Sequence, residues 1–142
     1  MATLEESLSS LLSSLFPGYS VFIAGQSRTA RISEDRPAIV VRLLSQRGEI
    51  HTIGSTSYLK EAEVEVSFYY LYREANYASV LEQARRDIDR LRAELLKSPN
   101  ALPGYLVSWV SSEDYSPTLR HPGVIQATLR LSLIGLDVKK AS

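Results

Sequence analysis

The sequence contains no cysteine. Disulfides, thiolate zinc sites, iron–sulfur clusters and a cysteine nucleophile are excluded together. It has no excess of charge of either sign: Lys+Arg and Asp+Glu both total 16. Residues 1–71 carry six basic and eight acidic groups, and 72–142 carry ten and eight. Neither half is a pole. Nucleic-acid-binding domains draw most of their affinity from phosphate neutralisation, so this balance weighs against one. Near-zero net charge also leaves self-association electrostatically permitted. No apolar run approaches the ~20 residues needed to span a bilayer. The start, Met1-Ala2-Thr3-Leu4-Glu5-Glu6, is acidic where a secretory signal is basic. The expectation is a soluble protein made inside the cell. Glycines 25, 48 and 54 fit neither a phosphate-binding loop nor a dinucleotide fingerprint. No serine sits in a G-x-S-x-G elbow.

What is present suits one globular domain over residues 1–142. The chain is 44% hydrophobic and 23% charged, an ordinary balance for a folded protein. A chain of this length buries about two-thirds of its unfolded surface and needs no staple.

Periodicity supplies the elements. Residues 3–16 read as a helix, opened by a Thr3-x-x-Glu6 capping box and stopped by Pro17-Gly18. Leu4, Leu8, Leu11, Leu12 and Leu15 share one face. That stripe has two readings, docking on its own core or on a neighbouring subunit. Residues 19–24 read as a short strand, 25–36 as a polar loop and 37–44 as a strand. The apolar run Ala38-Ile39-Val40-Val41 suggests burial on both faces. Residues 46–49 read as a turn; 50–57 fit either strand or loop. In 58–72, Ala62, Val64, Val66, Phe68 and Tyr70 alternate with Glu61, Glu63, Glu65, Ser67 and Tyr69. Period two with one apolar face predicts a half-buried strand, long enough to project beyond the domain body. Asn76 is the expected cap of a helix over 77–97. Its stripe is Tyr77, Val80, Leu81, Ala84, Ile88, Leu91 and Leu95. Strands are expected at 105–110 and 124–138, with a loop at 111–123. The fold class is α+β: a mostly antiparallel sheet packed against a long amphipathic helix, with an N-terminal helix.

Chemistry is sparse. His51 and His121 sit in loops, outside any zinc-binding spacing. Glu61, Glu63 and Glu65 place three carboxylates on one strand face, about 7 Å apart. They suit acid–base or cation work, the solvated face of an edge strand, or an acidic wall lining a channel. Arg28, Arg31, Arg36, Arg42 and Arg47 fall in a region that also holds Glu34 and Asp35. Mixed charge of that kind fits a solvated loop or an ion-paired protein interface. Tyr69, Tyr70 and Tyr72 crowd the end of the long strand, and tyrosine is enriched at interfaces.

The order of elements resembles a known family. A leucine-rich helix leads through short strands to Ala62-Glu63-Val64-Glu65-Val66-Ser67-Phe68-Tyr69-Tyr70, then through Asn76-Tyr77-Ala78 into an amphipathic helix. The chain closes on Ile125-Gln126-Ala127-Thr128-Leu129-Arg130-Leu131. This resembles the tail terminator (tail completion) proteins of long-tailed bacteriophages, most strongly over residues 60–136. The resemblance implies a structural, non-enzymatic virion protein of the tail neck, assembled in the host cytoplasm. Six copies would cap the tail tube, end its polymerisation and meet the head connector protein. Where the tail is contractile, the sheath would end there too. DNA would pass through the ring without specific binding, and neither cofactor, metal nor membrane is implied. Glu61, Glu63 and Glu65 would suit the channel lining; Arg28, Arg31, Arg36, Arg47, Tyr69 and Tyr72 would suit subunit or tube contacts. Three alternatives stand beside this reading. One is another head–tail connector or a tube-like tail protein. The second is a small α+β ligand-binding domain or enzyme using the carboxylates with His51. The third is a nucleic-acid-binding module working through Arg28 to Arg47.

Overall fold

The computed structural model describes residues 3–24, 36–50, 57–97, 102, 105–117 and 123–138. Helix α1 (Leu4–Leu15) leads into strand β1 (Ser20–Ile23). Strands β2 (Ala38–Ile50) and β3 (Ser57–Leu71) follow, then a short 3-10 turn (Glu74–Asn76). Helix α2 (Tyr77–Lys97), β4 (Leu106–Pro117) and β5 (Val124–Val138) complete the chain. The five strands form one sheet in the order β1-β2-β3-β5-β4. The fold is α+β, and three of its four strand pairings are antiparallel.

Each helix is explained locally. The Glu6 amide donates to Thr3 Oγ1 at 3.1 Å, so the expected N-cap forms. The stripe of α1 packs on its own chain: Leu8 and Leu12 are fully buried. Ala84, Ile88, Leu91 and Leu95 of α2 are also fully buried, spaced to face one side. Glu82 and Arg86 meet at 3.3 Å on its exposed side. Asn76 does not act as expected. Its side-chain oxygen accepts from the Arg73 amide at 2.6 Å, closing the 3-10 turn that precedes α2.

Both helices cover the same face of the sheet. Ala62, Val64, Val66, Phe68 and Tyr70 of β3 pack there, beside Ile125, Ala127, Leu129, Leu131 and Leu133 of β5. Large residues oppose small ones, Phe68 beside Ala127 and Leu133 beside Ala62, so the layer fills evenly. β3 and β4 both run antiparallel to β5, so they are parallel to each other with α2 as their crossover.

The sheet is mostly antiparallel, as expected, with one parallel pairing, β1 to β2. Several other readings are corrected. Residues 46–49 are not a turn; β2 continues to Ile50, which pairs with Tyr58. A bulge at Leu44 shifts its alternation by one residue, and the 15-residue partner β3 overrides the local turn preference. Residues 111–117 are not loop but part of β4, held by the ladder of β5. Ala38, Ile39 and Val41 are buried as a two-sided strand requires, but Val40 is only half-buried on the helix-free face.

The length of β3 also has a consequence. Fifteen strand residues reach about 50 Å, and the 21 residues of α2 about 31 Å. The last helix-facing residue known to be buried on β3 is Ala62. From there β2, β3 and β5 continue as a three-stranded ribbon to the pairs Ile50–Tyr58 and Ser57–Val138. Among the described residues, no helix is long and apolar enough to cross a membrane.

Candidate functional site: the helix-free face of the sheet

The polar phase of β3 places Glu61, Glu63, Glu65, Ser67 and Tyr69 on the face opposite the helices. Register builds rows across it. Arg42, Glu65 and Arg130 share one row; Ser45, Glu63 and Ser132 share the next. Arg47, Glu61 and Ile134 make a third. A concavity of about 210 Å³ opens here, lined by Ser45, Glu61, Glu63, Ser132 and Ile134 among others.

The three carboxylates are not equivalent. Glu65 is 17% exposed and accepts from Ser67 Oγ at 3.3 Å. Arg130 Nε lies 3.9 Å from its other oxygen. Glu63 is exposed, and Glu61 is half-buried. The solvated carboxylate, Glu63, therefore sits between the tethered Glu65 and the half-buried Glu61. The centre of the face is closed by small residues. Ser67 and Thr128 are buried, 3.4 Å apart, and Gln126 Nε2 donates to Thr128 Oγ1 at 3.4 Å.

The remaining sequence candidates divide. Tyr69 lies on this face, half-buried between Ala38 and Gln126. Arg47 is placed by register opposite Glu61. Arg36 is exposed just before β2. Tyr72 already has partners within the chain: its ring meets Tyr77 edge-on at 4.9 Å, and its amide donates to Gly123 O at 2.8 Å. Gly123, at φ +88°, makes the turn into β5 that this bond needs. Arg28, Arg31, His51 and His121 lie outside the described residues. Among the described residues, no group of three or more His, Asp or Glu is placed to hold a metal ion.

A second polar cluster lies on the helix-covered side, and periodicity did not announce it. The hydroxyls of Tyr19 and Tyr70 both donate to Asp87 Oδ2 at 2.6 Å. Gln83 Nε2 donates to the Tyr19 oxygen at 2.9 Å. The cluster joins the end of α1, the sheet and α2. The only sequence signal was an acidic residue next to the apolar stripe of α2. Burial pushes the Asp87 carboxyl upward, against the two phenol bonds and the nearby Arg90 and Arg86, which favour its charge. Burial and the Asp87 bond likewise raise the Tyr19 phenol.

The sign follows from the raised carboxyl. Its contribution to stability is fully present below the ordinary carboxylate range and is lost as pH rises through the raised folded value. Asp87→Asn keeps an oxygen for both phenols and removes the charge that burial disfavours. The variant is expected to match or exceed wild-type stability at pH 7, with the gap shrinking or reversing towards pH 4. Urea melts at both pH values check this. A variant less stable than wild type by more than about 2 kcal/mol at pH 7 would mean that the charge-assisted bonds outweigh desolvation.

The chain matches no known protein family and no curated protein.

Proposed function

We propose that this chain is a ring-forming structural protein of the phage tail-terminator kind. Copies of it would close the end of a tail tube and present a surface to the head connector. The observation that carries the reading is the division of labour across one sheet. One face is covered by both helices, and the other carries a stripe of carboxylates along the central strand β3, with Arg42, Arg130 and Arg47 in register beside it. A ring whose lumen admits DNA gains from carboxylates set among those arginines, because they offset the arginines' pull on phosphate and keep the duplex sliding rather than bound. The three-stranded ribbon of β2, β3 and β5 beyond Ala62 gives such a ring a part that would reach towards a neighbour or the tube. The order of helix, long alternating strand, amphipathic helix and closing strand supports the same reading.

Light scattering after size exclusion tests the assembly. The expected result is a discrete species near six times 15.8 kDa at low and high salt. An open-ended ladder would favour a tube-like protein instead, since a terminator makes a closed ring.

The stripe has its own test. Glu61→Ala, Glu63→Ala and Glu65→Ala together should leave the fold intact, because the Glu65–Arg130 pair contributes about 0–1 kcal/mol. Retention of duplex DNA at low salt should rise, because the wall has lost three negative charges. An unfolded triple variant would make the carboxylates structural. DNA retention unchanged from wild type would remove them from the channel.

A further inference from the structure

The sheet has two edges, and both are open among the described residues. One is β4, the last strand in the order. At the other end the four-residue β1 is outermost, and below it the lower part of β2 is itself the edge. β1 pairs only with residues 38–41, so no described strand flanks β2 on that side from 42 to 50. The open lengths are nine and twelve residues, enough for a stable ladder.

Backbone direction shows which amides are on offer. Val41 turns its carbonyl towards β1, accepting from the Ala24 amide at 2.8 Å. Successive strand residues point their backbone groups to alternate sides. Leu43 therefore points away from β3, as Val41 does. Past the bulge, Gln46 and Gly48 pair with Ala62 and Lys60, which are in phase with Val64 and Val66, so they point to the open side too. The same alternation carried across β5 turns Arg130 and its partner Ser111 towards each other. Val110 and Ser112 are then left facing outward from β4.

Charge decides which edges suit each other. The open length of β2 carries Arg42, Arg47 and Glu49. β4 carries Glu113 and Asp114 and no cation. Two β4 edges meeting would bring acid to acid, and two β2 edges would set two segments of net positive charge together. β2 against β4 brings opposite signs together. The bulge at Leu44 and the two register shifts in β4 discourage indiscriminate pairing of either edge. Strand direction agrees. β2 and β5 run one way and β3 and β4 the other. A second copy set beside β2 with the same face forward therefore brings its β4 antiparallel.

We propose that β4 of one copy pairs with residues 42–50 of β2 in a second copy, continuing the sheet from subunit to subunit. The contact is heterologous, so repeating it produces a ring when the rotation closes. This inference rests on the ring reading above and names the surface by which the ring is made. It also places the helix-free faces of all copies on the same side of one continuous wall.

Proline at an outward-facing position deletes one amide of the open edge and leaves the ladder within the chain intact. Gln46→Pro and Ser112→Pro, with Gln46→Ala and Ser112→Ala as controls, are compared with wild type by light scattering and circular dichroism. Each proline variant should fold, lose association at least tenfold and run as a monomer, while the alanine controls assemble. Mixed in equal amounts, the two proline variants still have one intact β2 edge and one intact β4 edge between them. They should form a dimer of twice 15.8 kDa and nothing larger. A discrete wild-type oligomer whose mass neither proline changes would overturn the edge pairing and leave the ring reading standing. A wild type that stays monomeric at its highest soluble concentration would overturn both. Should a proline variant fail to fold, hydrogen exchange on wild type decides. The amides of Gln46, Gly48, Val110 and Ser112 should gain protection on assembly, and no gain refutes the pairing.

Discussion

Val66→Asp is expected to yield a chain with no cooperative thermal transition. Val66 is fully buried, between Val41 on β2 and Leu129 on β5, under the helix layer. A carboxylate there either stays charged, at a cost of several kcal/mol, or takes up a proton at a strongly raised pKa. It also forfeits the packing of the valine methyls. Domains have about 5–15 kcal/mol in total, so one such change consumes most of the margin. Leu129→Asp, in the same cross-strand row and fully buried, should do the same. The neighbouring residue is the internal contrast. Glu65 is a native carboxylate one position away, and it is tolerated because it points to the other face, where Ser67 and Arg130 meet it. Melts followed by far-ultraviolet circular dichroism check this. A cooperative transition within a few degrees of wild type in either variant would falsify the core assignment.

The second large effect is expected at α1. Leu8→Ser with Leu12→Ser should detach the helix and the strand that follows it. Twelve residues are too few to hold a helix in water without packing. Both leucines are fully buried. Truncating each costs about 2–5 kcal/mol, before any penalty for the buried hydroxyl. The loss spreads along the chain through aromatic rings. Phe16 stacks on Tyr19 at 5.3 Å and meets Phe68 edge-on at 5.3 Å. Arg90 of α2 lies over the Phe16 ring, 5.6 Å from its centre. Once α1 leaves, Tyr19 loses its stack and its bond to Asp87 is no longer held in place. The melting temperature should fall by roughly 8–40 °C, from about 4–10 kcal/mol at about 2–4 °C per kcal/mol. A fall of less than about 5 °C would mean that α1 contributes little to the fold and that its stripe serves a neighbour.

Much of this architecture was legible in the sequence, for a physical reason. Where one face of an element is buried, periodicity records it residue by residue. The alternation of β3, the closing strand at 124–138 and the stripe of α2 were readable because burial imposes period two or three to four. Which carboxylates share a face also follows from alternation alone. The direction of β1, the continuation of β2 through 46–50 and of β4 through 111–117, and the bonds of Asn76 were not readable. In each, a long-range partner decided against a local preference. Gln46-Arg47-Gly48-Glu49 is good turn chemistry, yet a strand of 15 residues offers it a ladder. The Tyr19–Asp87–Tyr70 cluster lay further beyond reach, since it joins residues 17 and 68 positions apart that no pattern links. Composition and periodicity by themselves determined the class, the core phase of the main elements and the face on which charge is displayed. Only the tertiary structure decided strand order, which edges stay open and which carboxylate is tethered, because those depend on contacts between residues far apart along the chain.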